Sequence, residues 1–400
     1  MQSPPEARQT PSWLFRGWMT VVLVALAAAV GQAFGRFSYG VLLPAIRDDL
    51  SISNTLAGLV GSANMGAYLF GTLCVAWATA HYRLINVMRL GLFFATGGLL
   101  LAGLATTPLT LAFGLLIAGI GGAFLWIPAP IIAADALPPN KRHLAVGLMG
   151  SGIGLGIMFV SLLSGELRSS QGDAAWSSVY LIQFTVGFLL LILTLSFVRH
   201  AQSRPNGKSG IGGFGALRRM PGWIPMILAY STFGFMYLLI LGFLTTRLED
   251  DSGWATQDAA LAFSLMGFAM IFGGPTFAAL ANRFSTRLAV ALAFGLWPMF
   301  VGVIITGWPI ATLIACVGLG FLFSALPTLM TLYVVENTTT EDYGPSFSAA
   351  TLAFGVAQVI SPPIGGFLAD LTGAFTLVFV LAAGLGVLGL VITLSLPKPD

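Results

Sequence analysis

Charge is what this chain has least of. Its 400 residues carry 18 Lys or Arg and 15 Asp or Glu, 8% in all, where a soluble domain carries about 25%. So few charges cannot keep a chain that is 56% hydrophobic in water. That excludes an ordinary cytosolic enzyme, a nucleic-acid binder and a disordered tail protein. Cysteine is nearly absent. Cys74 and Cys316 both lie in apolar runs, so no disulfide framework is expected and both read as small buried hydrophobes. There are three histidines, His81, His143 and His200, none clustered. No H-E-x-x-H, Cys pair or His cluster points to a metal, and no Walker-type lysine motif points to ATP. The glycine-rich stretches lie inside apolar runs rather than after a strand, so a dinucleotide loop fails too. No cofactor is expected.

Glycine and long apolar runs are abundant instead. The 49 glycines are well above the usual ~7%. Glycine with high hydropathy suits close-packed helices in a bilayer, each needing roughly 20 apolar residues to cross it. Runs between charges predict twelve spans, at 18–45, 55–79, 85–105, 109–135, 143–165, 176–198, 223–246, 259–282, 288–306, 309–335, 345–369 and 374–396. The first run extends through Phe34 to Ile46, too long for the apolar core of a signal peptide.

The basic residues sort sharply by loop. With the N-terminus inside, fourteen of the 18 fall on the cytoplasmic side: Arg8, Arg16, Arg83, Arg89, Lys141, Arg142, Arg199, Arg204, Lys208, Arg218, Arg219, Arg283, Arg287 and Lys398. Arg47, Arg168 and Arg247 fall outside. The positive-inside rule therefore places both termini in the cytoplasm and the protein in the cytoplasmic (inner) membrane. It also accounts for the net charge of +3 without any nucleic acid. The eighteenth basic residue, Arg36, sits inside the first span.

The longest internal polar stretch, 199–222, is rich in Gly, Arg, Ser and Pro and reads as a linker. Six spans precede it and six follow. Phe124-x-x-x-Pro128 in the fourth span recurs as Phe323-x-x-x-Pro327 in the tenth. The turn Ala80-His81-Tyr82-Arg83 recurs near Asn282-Arg283-Phe284 at nearly the same offset. The expected architecture is an all-α polytopic membrane protein with twelve transmembrane helices in two pseudo-symmetric six-helix halves. Its units would be 1–198, the cytoplasmic linker 199–222, and 223–400. Repeated halves around a midplane site are a transporter design.

Gly119-Ile120-Gly121-Gly122-Ala123, Pro138 to Ala145 (PPNKRHLA) and Ser361 to Asp370 (SPPIGGFLAD) resemble the fourth helix, the following loop and the end of the eleventh helix of the major facilitator superfamily of secondary transporters. Gly35 to Ala45 (GRFSYGVLLPA) resembles bacterial members. The resemblance spans all twelve helices and implies alternating access. The chain also departs from the family. The loop Gly-x-x-x-Asp-Arg-x-Gly-Arg has Ala80 and His81 at its Asp and Arg positions, and Asn282 and Arg283 in the second copy. No basic residue stands in Phe113 to Leu116, and no proline stands in Gly150 to Gly156. These departures weaken the case for proton-driven drug efflux.

An ionisable residue inside a span costs at least a few kcal/mol and marks function by default. Arg36 lies near ~13 Å below the outer end of its span at 1.5 Å per residue. Gln32, Arg36 and Tyr39 share one helix face at i−4 and i+3, which Leu43 continues. No Asp or Glu lies inside a span; Asp135, Glu336 and Asp370 sit at span ends. An arginine without a resident counter-ion suits a substrate that brings a carboxylate or phosphate. The alternative is a structural clamp on helix carbonyls and hydroxyls.

Other stripes line up as a cavity: Asn64 and Tyr68; Tyr230, Phe233 and Tyr237; Phe347, Thr351, Phe354 and Gln358; and Trp126 beside Pro128 and Pro130. Aromatic walls, a few amides and one arginine fit a small, partly apolar carboxylate. The expected substrate site is Arg36, Gln32, Tyr39, Asn64, Tyr68, Trp126, Tyr230, Tyr237, Phe354 and Gln358, in a monomer. Uniport, anion exchange and symport with a proton as coupling ion all fit. An efflux carrier for hydrophobic drugs is the alternative function.

Overall fold

A computed structural model describes residues 12–198 and 213–397. The stretch 199–212 of the expected linker lies outside the described residues, as do Arg8, His200 and Lys398. The rest is helical, with no strand among the described residues. Twelve helices are long and apolar enough to cross a bilayer: α1 (Phe15–Asp49), α2 (Asn54–His81), α3 (Leu84–Gly103), α4 (Pro108–Asp135), α5 (Pro139–Gln171), α6 (Asp173–Phe197), α7 (Trp223–Asp251), α8 (Thr256–Arg283), α9 (Thr286–Thr306), α10 (Pro309–Asn337), α11 (Glu341–Thr372) and α12 (Thr376–Leu394).

Several run longer than the hydropathy suggests. α5 was expected over 143–165 and α11 over 345–369, yet they extend to Gln171 and Thr372. Apolar runs stop at the first charge, whereas the backbone ladder continues as long as terminal charges find partners. Side-chain caps set the starts: Ser53 accepts from Leu56 N before α2, and Thr107 and Thr110 form a reciprocal box before α4. α4 itself is interrupted. Its helix Pro108–Trp126 stops and a short helix Ala129–Asp135 resumes. Pro128 and Pro130 together remove two backbone donors within one turn. In the counterpart α10 the lone Pro327 is absorbed in one helix, Pro309–Asn337.

Successive spans alternate in direction, so 198 and 213 lie on one face, the linker face. Within the first half α4 packs on α2 and α3, α3 on α6, and α1 on α5; within the second α8 packs on α10, α9 on α12, and α7 on α11 and α12. The halves meet where α5 lies along α8, α2 along α11 and α1 along α7. Toward the far face this seam is tight. A Cβ on Gly40 would strike the Leu241 carbonyl, and one on Gly58 the backbone of Pro362, so only glycine lets these helices approach. Toward the linker face Gly147 and Gly150 of α5 have open space around them. The residues 213–222, expected as linker, include a helical turn at Phe214–Leu217 that packs on α11.

Candidate functional site

α1 is continuous but not uniform. Between α-helical segments Ser12–Ala29 and Ser38–Asp49 lies a π-helical stretch, Val30–Phe37. The N–H of Ser38 reaches back five residues to the Ala33 carbonyl. The Phe34 carbonyl thereby loses its α-helical donor, and the Ser38 hydroxyl donates to it at 2.5 Å. Such widened turns recur at functional sites. This one carries Gln32 and Arg36, and all its residues are buried.

Arg36 is 8% exposed. Along α1, which continues to Asp49, it lies roughly 20 Å from that end at 1.5 Å per residue. Its Nε donates to the Met65 sulfur at 3.1 Å and Nη1 to Gln32 Oε1 at 3.4 Å; Nη2 donates to Gln358 Oε1. The guanidinium lies 4.6 Å from the Tyr68 ring centre and 5.4 Å from that of Phe37, a cation–π setting. Among the described residues no carboxylate pairs with it. The charge is held by neutral groups from both halves.

Gln32, Tyr68 and Gln358 are thus gathered at Arg36 as the sequence suggested. Tyr39 donates to the Ala57 carbonyl of α2 at 2.7 Å. With Arg36, Leu43 and Met65 it lines a cavity of about 30 Å³ on the far-face side. Aromatic residues of the second half form a wall. Tyr230 stacks on Phe354 at 4.4 Å and 14°, Phe233 lies against the same ring at 5.8 Å, and Tyr237 meets Phe37 edge-on at 5.9 Å. Tyr230 and Tyr237 are near enough to Arg36 to feel its charge.

Two expected residues are placed differently. Asn64 is a brace: its amide nitrogen donates to the carbonyls of Gly35 and Leu115, both at 2.7 Å, tying α1, α2 and α4 together. Trp126 ends the first segment of α4, just before the proline break, and packs against the apolar core. It lies one turn toward the linker face from Gly122, whose carbonyl takes Gln32 Nε2 at 3.5 Å, and is not among the partners of Arg36. Met65 and Phe37 were not foreseen. A search for polar side chains passes over a thioether, although Met65 directly follows Asn64 and Phe37 directly follows Arg36.

The family model for the major facilitator superfamily matches residues 25–344 and 239–400. The chain is similar to the cis,cis-muconate transport protein of Acinetobacter baylyi, 22% identical over 88% of each chain. It is also similar to the hexuronate transporter of Bacillus subtilis, 22% identical over 95% of each. Its fold matches the crystal structure of a bacterial homolog of the human lysosomal transporter Spinster, in an inward-facing, unoccupied conformation. The TM-score is 0.78 at 16% identity, over 100% of both chains. The chain belongs to the major facilitator superfamily, and it is a membrane transporter, not an enzyme.

Proposed function

We propose that this transporter carries a small organic anion, a carboxylate, by alternating access, and that Arg36 holds the anion. One observation carries the reading. Arg36 is deeply buried between the two halves, and among the described residues no carboxylate answers its charge. A buried unpaired charge is costly, and a planar fork matched to carboxylate geometry is the natural receptor for an anion that comes and goes. The similar muconate and hexuronate transporters, both named for carboxylates, support the class.

In this reading 1–198 and 223–400 are the bodies that rock about the site. The tight far face and the open surroundings of Gly147 and Gly150 fit a state that receives the anion from the linker face. The fourteen-to-three split of loop basic residues supports placing that face, with both termini, in the cytoplasm of a cell whose inner membrane holds the protein. A proton travelling on the substrate carboxylate would make transport electroneutral, since one carboxylate and Arg36 cancel.

The test is carboxylate uptake by proteoliposomes carrying the intact chain or Arg36→Ala, with thermal melting of both in detergent. Uptake is expected to vanish while the variant melts as one folded species. Carboxylate uptake unchanged in Arg36→Ala would overturn the reading. Resistance to lipophilic cations in expressing cells, without carboxylate uptake, would favour drug efflux.

A further inference from the structure

Resting on the anion reading above, we infer that Gln358 is a placeholder for the substrate's carboxylate, and that the site accepts a monoanion with an apolar body and rejects a dianion. A guanidinium only donates. Facing Arg36, the Gln358 amide must therefore present its oxygen, as it does. Its nitrogen is then turned away, and that nitrogen is buried with no acceptor, in a side chain only 3% exposed. A buried amide with one end engaged and one orphaned is costly. The arrangement has a purpose if the oxygen occupies a carboxylate oxygen's position and the nitrogen waits for the second.

An arriving carboxylate supplies the acceptor that the nitrogen lacks. It takes the Arg36 fork in place of the amide oxygen, and Gln358 Nε2 donates to it. Arg36 belongs to α1 and Gln358 to α11, 322 residues apart. The anion would thus be gripped by one donor from each half, so its binding bears directly on how the halves sit.

Charge then sets the substrate class. Beyond Arg36, the buried arginines Arg168 and Arg247 stand at the far face and are already paired with Glu249 and Asp251. The walls around Arg36 are Phe37, Tyr68, Tyr230, Tyr237 and Phe354. One positive charge in such a setting neutralises one carboxylate. A second carboxylate on the same ligand would be desolvated against aromatic rings with nothing to answer it. The flat Tyr230–Phe354 stack favours a planar or unsaturated body.

The experiment measures ligand-induced thermal shifts and binding for the purified full chain. Paired probes are benzoate with terephthalate, hexanoate with adipate, and sorbate with cis,cis-muconate. Each monoanion is expected to bind about tenfold or more tightly than its dianion, one missing counter-charge being worth at least one decade. Gln358→Leu is expected to weaken the monoanions about tenfold, as loss of one charged hydrogen bond does. Gln358→Glu places a resident carboxylate on Arg36, so ligand-free melting should rise and the benzoate shift disappear. The variants separate the two ideas. If Arg36→Ala keeps the wild-type shift, the anion reading itself fails. If Arg36→Ala loses it while Gln358→Leu and Gln358→Glu bind as wild type, the placeholder inference fails; if dianions bind as well as monoanions, the monoanion inference fails. If no monoanion of the panel binds the wild type, the monoanion inference is overturned as well.

Discussion

Arg168 of α5 grips Glu249 of α7 across the two halves with both terminal nitrogens at 2.8 Å, and at the same time holds Asp173 of its own half at 2.9 Å. Arg47 repeats the pattern, pairing with Asp250 across the seam and with Asp48 beside it. Arg168 and Arg47 therefore each have one carboxylate that stays when the halves part and one that leaves. Opening that face strips neither arginine of every counter-ion, which keeps the electrostatic penalty of the motion low.

That asymmetry gives unequal mutant effects. Glu249→Gln leaves Arg168 paired with Asp173 and should lower the melting temperature only slightly. Arg168→Ala leaves Glu249, whose side chain is 13% exposed, buried without its partner; breaking such a pair costs roughly 3–5 kcal/mol. Thermal melts of the two variants side by side check the order. Equal destabilisation would mean that Asp173 does not back up the pair.

A second link across the seam is a helix cap supplied in trans. Asp370 at the end of α11 accepts from the backbone N–H of Asn54 at 3.0 Å and of Thr55 at 2.7 Å, and from the Thr55 hydroxyl. A carboxylate at a helix N-terminus satisfies orphan donors and meets the positive end of the dipole. Asp370→Ala should remove about 1 kcal/mol of that closure, roughly a fivefold shift toward an open far face. A cysteine placed at Ser62, which bonds the Val359 carbonyl inside the seam, reports this by its labelling rate in a background with Cys74 and Cys316 replaced. An unchanged rate would show that Asp370 caps α2 without holding the face closed.

Much of this was legible in the chain. The twelve spans and the one unanswered charge follow from hydropathy and from sorting basic residues, because a bilayer penalises every misplaced charge. Gln32 and Tyr39 could be placed beside Arg36 since helix spacing is local. Which far-off faces meet is not local: the sequence marks Gln358 as a buried amide in need of partners, but spacing within α11 does not say that its partner is the Arg36 fork. The widened turn in α1 was invisible as well, since its residues fit an ordinary helical pattern. Asn64 was rightly singled out as a buried amide needing partners, but the partners are backbone carbonyls, which a side-chain search does not see.

Asn64 yields its own expectation. Its two donated bonds satisfy carbonyls of α1 and α4 next to the site. Asn64→Leu removes both bonds, at roughly 0.5–1.5 kcal/mol each. Asn64→Asp should be at least as harmful, because an ionised carboxylate offers those carbonyls only acceptors. Melting temperature and the benzoate shift should fall together in both variants. A normally stable Asn64→Asp would mean that Asn64 does not brace α1 against α4.

The Ser38 hydroxyl is the small group on which the widened turn depends. With Ser38 N–H committed to Ala33, the Phe34 carbonyl accepts from the Ser38 hydroxyl, in a segment fully buried. Ser38→Ala should therefore cost about 1–3 kcal/mol if the turn persists. If the turn instead relaxes to α-helix, residues on its two sides rotate relative to one another by about 100°, one residue's worth of an α-helical turn. Arg36 would then leave either Gln358 or the Tyr68 ring. Both routes weaken anion binding, whereas Ser38→Thr keeps a hydroxyl that can back-bond within a helix and should retain it. Binding of benzoate by the three proteins distinguishes them. A Ser38→Ala protein with wild-type affinity and wild-type melting would show that the π-helical stretch holds Arg36 in place without the serine.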